Sequence, residues 1–204
     1  GDFGHSISTG QAILPLILER FWISASIVLV ALVLAVLLAL PAGILAAWKQ
    51  NSVFDFAIVG TATILLSVPS FWVGLLLLLL CELTLGWLPV IGFVPFDRDF
   101  GRALVYIIMP VSALVLSEVG VITRMVRAST LEVLRLDYIT HARAKGLSEA
   151  AVLWRHAFWN AFAPTFTLIG LILGSLLGGI AVIETVFTIP GLGRLLVDAI
   201  FARD

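Results

Sequence analysis

FWISASIVLVALVLAVLLALPAGILAAW, residues 21–48, carries no charged side chain over its 28 positions. About 20 apolar residues in a helix cross a bilayer core, so this run is long enough to span with some tilt. Trp22 and Trp48 stand near its two ends, where interfacial aromatics are favoured. Pro41 is compatible with a helix in lipid, because neighbouring groups can satisfy the carbonyl it frees. The whole chain has the same character: of 204 residues, 61% are hydrophobic and 12% charged, against roughly 45–50% and about 25% in a soluble domain. The fold class that follows is an all-α integral membrane protein, a polytopic helical bundle.

Outward from this run, the spacing predicts three further spans. The second covers about residues 56–85 and contains Ser67-Val68-Pro69-Ser70-Phe71-Trp72. Proline removes a donor there, and the serines can bond the loosened backbone. The stretch reads as a kink, or as an opened turn lining a polar path. Gly86-Trp87-Leu88-Pro89 is expected to end the helix, with Asp97, Arg98, Asp99 and Arg102 in the following loop. The third span covers about residues 103–126, with Pro110 and Glu118 inside it. An intramembrane carboxylate is costly and should face a bundle interior, a cavity or a partner. Arg124 is six residues on, nearly two turns, too far for direct pairing. The fourth span covers about residues 164–186, with Pro164 as its first helical residue. Gly170, Gly174 and Gly178 recur on one face of it, a spacing that lets helix backbones pack closely. Ser67, Pro69, Ser70, Glu118 and Glu184 are the candidate lining of a translocation path.

Residues 127–160 form the one long polar segment. Ser129-Thr130-Leu131-Glu132 fits a capping box, Gly146 a helix C′ position, and Ser148 the N-cap of the next helix. That helix is expected over residues 149–162, with Val152, His156 and Trp159 on one stripe and Leu153, Ala157 and Asn160 on the next, so one face can lie against the membrane. Lys49, Arg124, Arg127, Arg135, Arg143, Lys145 and Arg155 lie on this side, and five arginines on the other. The excess of basic residues places the segment in the cytoplasm.

Other function classes lack their residues. The sequence has no G-x-x-x-x-G-K-[ST], no H-E-x-x-H and no G-x-S-x-G, so neither a P-loop, a zincin site nor a serine elbow is encoded. His5, His141 and His156 are not spaced as metal ligands, and no metal or cofactor is expected in this chain. Cys81 is the only cysteine, which excludes an intramolecular disulfide. With a net charge of −1, nothing points to nucleic acid. No enzyme reading finds its residues here. Its abrupt ends, Gly1-Asp2-Phe3-Gly4-His5-Ser6 without a signal-peptide pattern and Phe201-Ala202-Arg203-Asp204, lead us to expect a piece of a longer protein.

Leu131-Glu132-Val133-Leu134-Arg135-Leu136-Asp137-Tyr138, followed by Thr140-His141-Ala142-Arg143-Ala144-Lys145-Gly146-Leu147-Ser148, resembles the permease subunits of ATP-binding-cassette importers. Within them it is similar to the first permease type of the dipeptide/oligopeptide/nickel branch. Ser67 to Trp72, Gly86 to Pro89, Glu184-Thr185-Val186-Phe187 and Pro190-Gly191-Leu192-Gly193 agree in order and spacing. The family's cytoplasmic signature is Glu-Ala-Ala, three residues, Gly, nine residues, Ile-x-Leu-Pro. Aligned on Gly146, the first slot reads Thr140-His141-Ala142 and the last His156-Ala157-Phe158-Trp159, with proline only later, at Pro164. Arg143-Ala144-Lys145-Gly146-Leu147 looks like the branch's own variant.

The resemblance implies one transmembrane domain of six spans, four of them within residues 1–204, in a multi-pass protein of a prokaryotic cytoplasmic membrane. It implies a second permease subunit as heterodimeric partner, ATPase subunits that carry ATP and Mg, and an extracytoplasmic substrate-binding protein. Asp137, Tyr138, Thr140, His141, Ala142, Arg143, Ala144, Lys145, Gly146 and Leu147 would form the coupling helix seated on the ATPase, working by alternating access. Peptides, nickel complexes, glutathione or oligosaccharides are the substrates it implies. A self-contained secondary transporter or channel is the alternative.

Overall fold

The computed structural model describes residues 3–7, 10–84, 86, 92–95 and 98–204, without the side chains of residues 82–84. The expected helix end at Gly86-Trp87-Leu88-Pro89, apart from Gly86, and the charge at Asp97 lie outside the described residues. Among those described there is no strand, only an antiparallel bridge between His5 and Ala12. The helices are α1 (Ile13–Trp48), α2 (Val53–Ser67), α3 (Ser70–Leu78), α4 (Phe100–Leu134), α5 (Asp137–Ala144), α6 (Glu149–Ala151), α7 (Phe158–Gly179), α8 (Ala181–Val186) and α9 (Leu192–Ala202). Two π-helical turns, Leu79–Thr84 and Val152–Ala157, follow α3 and α6.

Among the described residues, three stretches are long and apolar enough to cross a membrane: α1, α4, and the continuous helix Glu149–Gly179 that joins α6, the π turn and α7. Val53–Ser67 with Ser70–Cys81 makes a fourth only if a pair bent by 91° counts as one span. That bend is far more than a simple kink. Pro69 precedes the first turn of α3 in extended backbone, and the Val68 N–H reaches only Leu65 O. The Ser67 hydroxyl donates back to Thr63 O at 2.8 Å, as the sequence led us to expect.

The chain forms two compact units. The second unit, Leu32–Val68 with Leu116–Ile172, is built around α4. Ala35, Ala39, Ala46 and Ala47 of α1 are buried, whereas Val33, Leu34, Leu37 and Leu38 are exposed. Small residues inside and large apolar ones outside are what lipid as a solvent selects. A Cβ at Gly43 would lie 2.6 Å from Val126 Cβ, and one at Gly120 2.5 Å from Ala62 O. These two glycines therefore set how closely α1 and α2 approach α4. In the first unit, Gly1–Ala31, Pro69–Val115 and Leu173–Asp204, α3 packs its Gly74 on Phe187, which is buried.

Several boundaries differ from expectation. α1 starts at Ile13 and takes in Glu19 and Arg20: charge marks where a helix leaves lipid, not where its hydrogen bonds begin. No capping box forms at Ser129, because α4 continues to Leu134. Its hydroxyl donates instead to Met125 O at 3.0 Å and Val126 O at 3.2 Å, the back-bonding open to serine inside a helix. Pro164 lies inside α7 rather than at its start, since the helix already propagates from the π turn and can forgo one hydrogen bond. α7 ends at Gly179, and the expected single span to Val186 is interrupted at Ile180. The stripe of Val152, His156 and Trp159 is split: Val152 is buried and Trp159 is 71% exposed. The i→i+5 bonding of a π turn adds a residue to the turn and shifts the register. Val152, Leu153, Ala157, Ala161 and Thr165 then share the buried side.

Gly170, Gly174 and Gly178 pack on nothing among the described residues. All three are exposed, and a Cβ on any of them would meet nothing within 4 Å. The face is open.

Candidate functional site

α5 is a short helix with a firm C-terminal end. Gly146, at φ +80°, takes the left-handed position that an L side chain adopts only with strain. Its N–H donates to Arg143 O at 2.9 Å and that of Leu147 to Ala142 O at 3.4 Å, the paired closure of a Schellman motif. Ser148 then caps α6 by accepting from the Ala151 N–H, as its position predicted. Arg143 holds Glu149 through Nε–Oε1 at 2.8 Å and Nη2–Oε2 at 3.1 Å. That fork also sets a carboxylate at the start of α6, where backbone N–H groups are unpaired. Exposed pairs of this kind contribute little stability, but they fix direction.

A second tie runs from α5 to the π turn. The Tyr138 hydroxyl donates to His156 O at 3.3 Å, and Asn160 Nδ2 donates to Tyr138 Oη at 2.9 Å and to His156 O at 3.2 Å. Beneath it, Ile139 and Ala142 are buried. Of the expected coupling residues, Asp137, Tyr138, Thr140, His141, Arg143, Ala144, Lys145, Gly146 and Leu147 are exposed, while Ala142 faces inward. α5 is thus a braced, solvent-facing helix of mixed charge. Next to it, Trp154, Phe158, Phe162 and Phe166 form a ring ladder with centroids 5.4, 5.9 and 6.0 Å apart.

A buried ion pair that the sequence reading missed anchors the same unit. Arg127 of α4 grips Asp55 of α2 with Nε–Oδ1 at 2.6 Å and Nη2–Oδ2 at 2.7 Å, and Asp55 is 3% exposed. The Asn51 N–H donates to the same carboxylate at 2.9 Å, and the Asp55 N–H to Ser52 Oγ at 3.4 Å. The available signal was Ser52-Val53-Phe54-Asp55, a Ser-x-x-acid start of a helix.

The candidate path residues are divided between the two units. Ser67 lies in the second unit, and Pro69 and Ser70 in the first. Glu118 is half-buried on α4, without a hydrogen bond or ion pair among the described residues. Arg124 does not pair with it, as its distance along the helix predicted. Glu184, in the first unit, is 0% exposed. Ser24 Oγ donates to its Oε1 and accepts from the Leu192 N–H at 2.8 Å, while the Arg194 N–H donates to Oε2 at 2.8 Å. The Ile189 N–H takes its carbonyl at 2.8 Å, and Arg20 Nη1 donates to Pro190 O at 2.9 Å. The carboxylate and Ser24 therefore cap α9 together, accepting from the Arg194 and Leu192 N–H groups of its first turn. A Cβ at Gly191 would overlap the carboxylate. The Pro190-Gly191-Leu192-Gly193 turn is what this arrangement demands. No group of His, Cys, Asp and Glu that could hold a metal exists among the described residues.

The comparisons with known proteins agree with this architecture. Residues 39–204 match the family described as "Binding-protein-dependent transport system inner membrane component". A protein of Brucella suis biovar 1 (strain 1330), provisionally named a peptide transport system permease protein, is 43% identical over 204 residues, covering all of this chain and 65% of its own length. The oligopeptide transport system permease protein AppB of Bacillus subtilis (strain 168) is 39% identical over 207 residues, all of this chain and 66% of that protein. The di/tripeptide transport system permease protein DppB of Pseudomonas aeruginosa (strain UCBPP-PA14) is 38% identical over 224 residues, all of this chain and 67% of that protein. The chain thus spans about two thirds of the length of these relatives. In fold it is similar to a crystal structure of an amino acid ABC transporter with histidines, at a TM-score of 0.67 and 15% identity, over 94% of this chain and 81% of that one. With apolar helices crossing more than once and the family model covering most of its length, the chain belongs to the inner membrane components of binding-protein-dependent transport systems, as a multi-pass membrane protein.

Proposed function

We propose that this chain is the permease subunit of an ATP-driven peptide importer and that α5 is its coupling helix. The observation that carries this is the construction of α5: short, exposed, closed by Gly146 and braced to two neighbouring elements by Arg143–Glu149 and Tyr138–Asn160. A helix meant to transmit a push must not slide or fray, and each tie removes one such freedom. Peptides are the substrate because relatives similar along the whole chain are named for peptide transport. The partners are ATPase subunits, which supply ATP and Mg chemistry, a second permease subunit lining the other half of the path, and an extracytoplasmic binding protein. Closure of the ATPase dimer moves α5 as a rigid lever and switches access across the membrane. The four-span arrangement, with α2 and α3 as one broken span, belongs to this reading.

The test is Gly146→Trp in the full-length complex. A Cβ there meets no neighbour, so the bulk projects toward the ATPase, and the positive φ adds about 1–2 kcal/mol of local strain. Peptide-stimulated ATP hydrolysis in proteoliposomes is expected to fall at least tenfold while membrane insertion is unchanged. Unaltered stimulation would sink the coupling assignment.

A further inference from the structure

The second unit holds a groove of about 830 Å³ between α2, α4 and α7, walled by Val59, Leu66, Val121, Met125 and Leu168 and carrying two cations, Arg124 and Arg127. That is within the size range of small-molecule sites, roughly 300–1,000 Å³, and mostly apolar walls with few polar groups are what such sites have. Arg127 is already engaged by Asp55. Arg124 has no hydrogen bond or ion pair among the described residues. Thr63, also in the wall, gives its proton to Val59 O at 2.8 Å, so its oxygen has only acceptor capacity to offer. Glu118 is the second ionisable side chain without a partner on this part of α4. Its neighbours on the same helix face, Val121 (i+3) and Met125 (i+7), both line the groove. An ionisable residue kept inside a membrane helix without a partner marks a ligand or ion path, which is the position of the half-buried Glu118, while Arg124 is exposed in the groove wall.

The separation fits one ligand chemistry. Six residues of helix place Glu118 and Arg124 about 9 Å apart along the axis. Two or three extended amino-acid residues span on the order of 7–10 Å. We propose that this groove receives a zwitterionic di- or tripeptide, with Arg124 taking its C-terminal carboxylate, Glu118 its N-terminal ammonium, and Thr63 accepting from a backbone N–H. The assignment rests on the peptide-import reading and adds residues to it. The apolar walls take side chains of any sequence, so recognition falls on the two charged ends.

Equilibrium binding of labelled dialanine to the full-length complex tests this in phosphatidylcholine nanodiscs without the binding protein. Dialanine is expected to bind, with N-acetyl-dialanine and dialanine amide competing at least tenfold less well, since a hydrogen bond to a charged group carries that much. Arg124→Gln is expected to erase the penalty on the amide alone and Glu118→Gln that on the N-acetyl form alone; Arg124→Lys restores the preference for the free acid. An unchanged order of competition in both variants overturns the site. So does an absence of dialanine binding to the wild type, or displacement of dialanine by phosphatidylglycerol, which would make the groove a lipid headgroup site. Dialanine uptake by proteoliposomes with the binding protein is measured alongside. Uptake that ignores Arg124 and Glu118 removes the site and leaves peptide import standing, whereas no uptake by the wild type removes the import reading itself.

Discussion

Replacing Asp55 tests how the second unit is held together. Asp55→Leu leaves Arg127 with neither of its two carboxylate bonds and frees the Asn51 N–H. Breaking a buried pair by removing one partner costs about 3–5 kcal/mol, whereas replacing both partners with apolar residues is near neutral. The Arg127 side chain keeps 25% exposure, so water recovers part of the loss and about 2–3 kcal/mol is expected. Arg127→Met alone strands the buried Asp55 carboxylate and should cost a similar about 2–3 kcal/mol, while the double variant, Asp55→Leu with Arg127→Met, should lose only about 1 kcal/mol, a coupling energy of about 3–5 kcal/mol. The assay is equilibrium unfolding of the four members of the cycle in mixed micelles. A coupling below about 0.5 kcal/mol would refute the reasoning, because the geometry would then be that of an incidental contact.

Three further substitutions probe other parts of the chain. Gly191→Ala puts a methyl group where the Glu184 carboxylate lies, so it should destabilise by about 2–3 kcal/mol through overpacking and loss of the α9 cap. Gly170→Ala, on an open face, should change thermal stability by under about 1 kcal/mol or raise it; equal effects in a melting assay would argue against the cap. Tyr138→Phe removes one hydroxyl that both donates and accepts. It should cost about 1 kcal/mol and lower peptide-stimulated ATP hydrolysis more than basal hydrolysis; an equal reduction of both would show that the tie does not transmit.

Residues 21–48 carried the class of the fold with no help from tertiary contacts, because an uncharged run of that length has one physical solution in lipid, a hydrogen-bonded helix. Gly146 and Ser148 were legible for a similar reason: a helix end is decided by the few residues around it. Ser129 was misread because a capping box and a back-bonded serine inside a helix share the same local sequence. Only the continuation of α4 past it chooses between them. The stripe through Val152 and Trp159 failed because a pattern of period 3.6 presumes α-helical bonding, and the π turn changed the period.

The sequence by itself determined what depends on short range and on solvent: which stretches are apolar enough to enter the bilayer, how the chain turns at Gly146 and Ser148, and which family's grammar residues 127–160 follow. Tertiary structure decided the partners of the charges. Asp55 and Arg127 are 72 positions apart, Ser24 and Glu184 160, and no local pattern specifies pairs at that separation. Glu118 and Arg124 were visible as charges in a span, but only the groove beside them shows both without a partner. In a medium with little water, a charge must find another group, and the fold alone determines which one comes within reach.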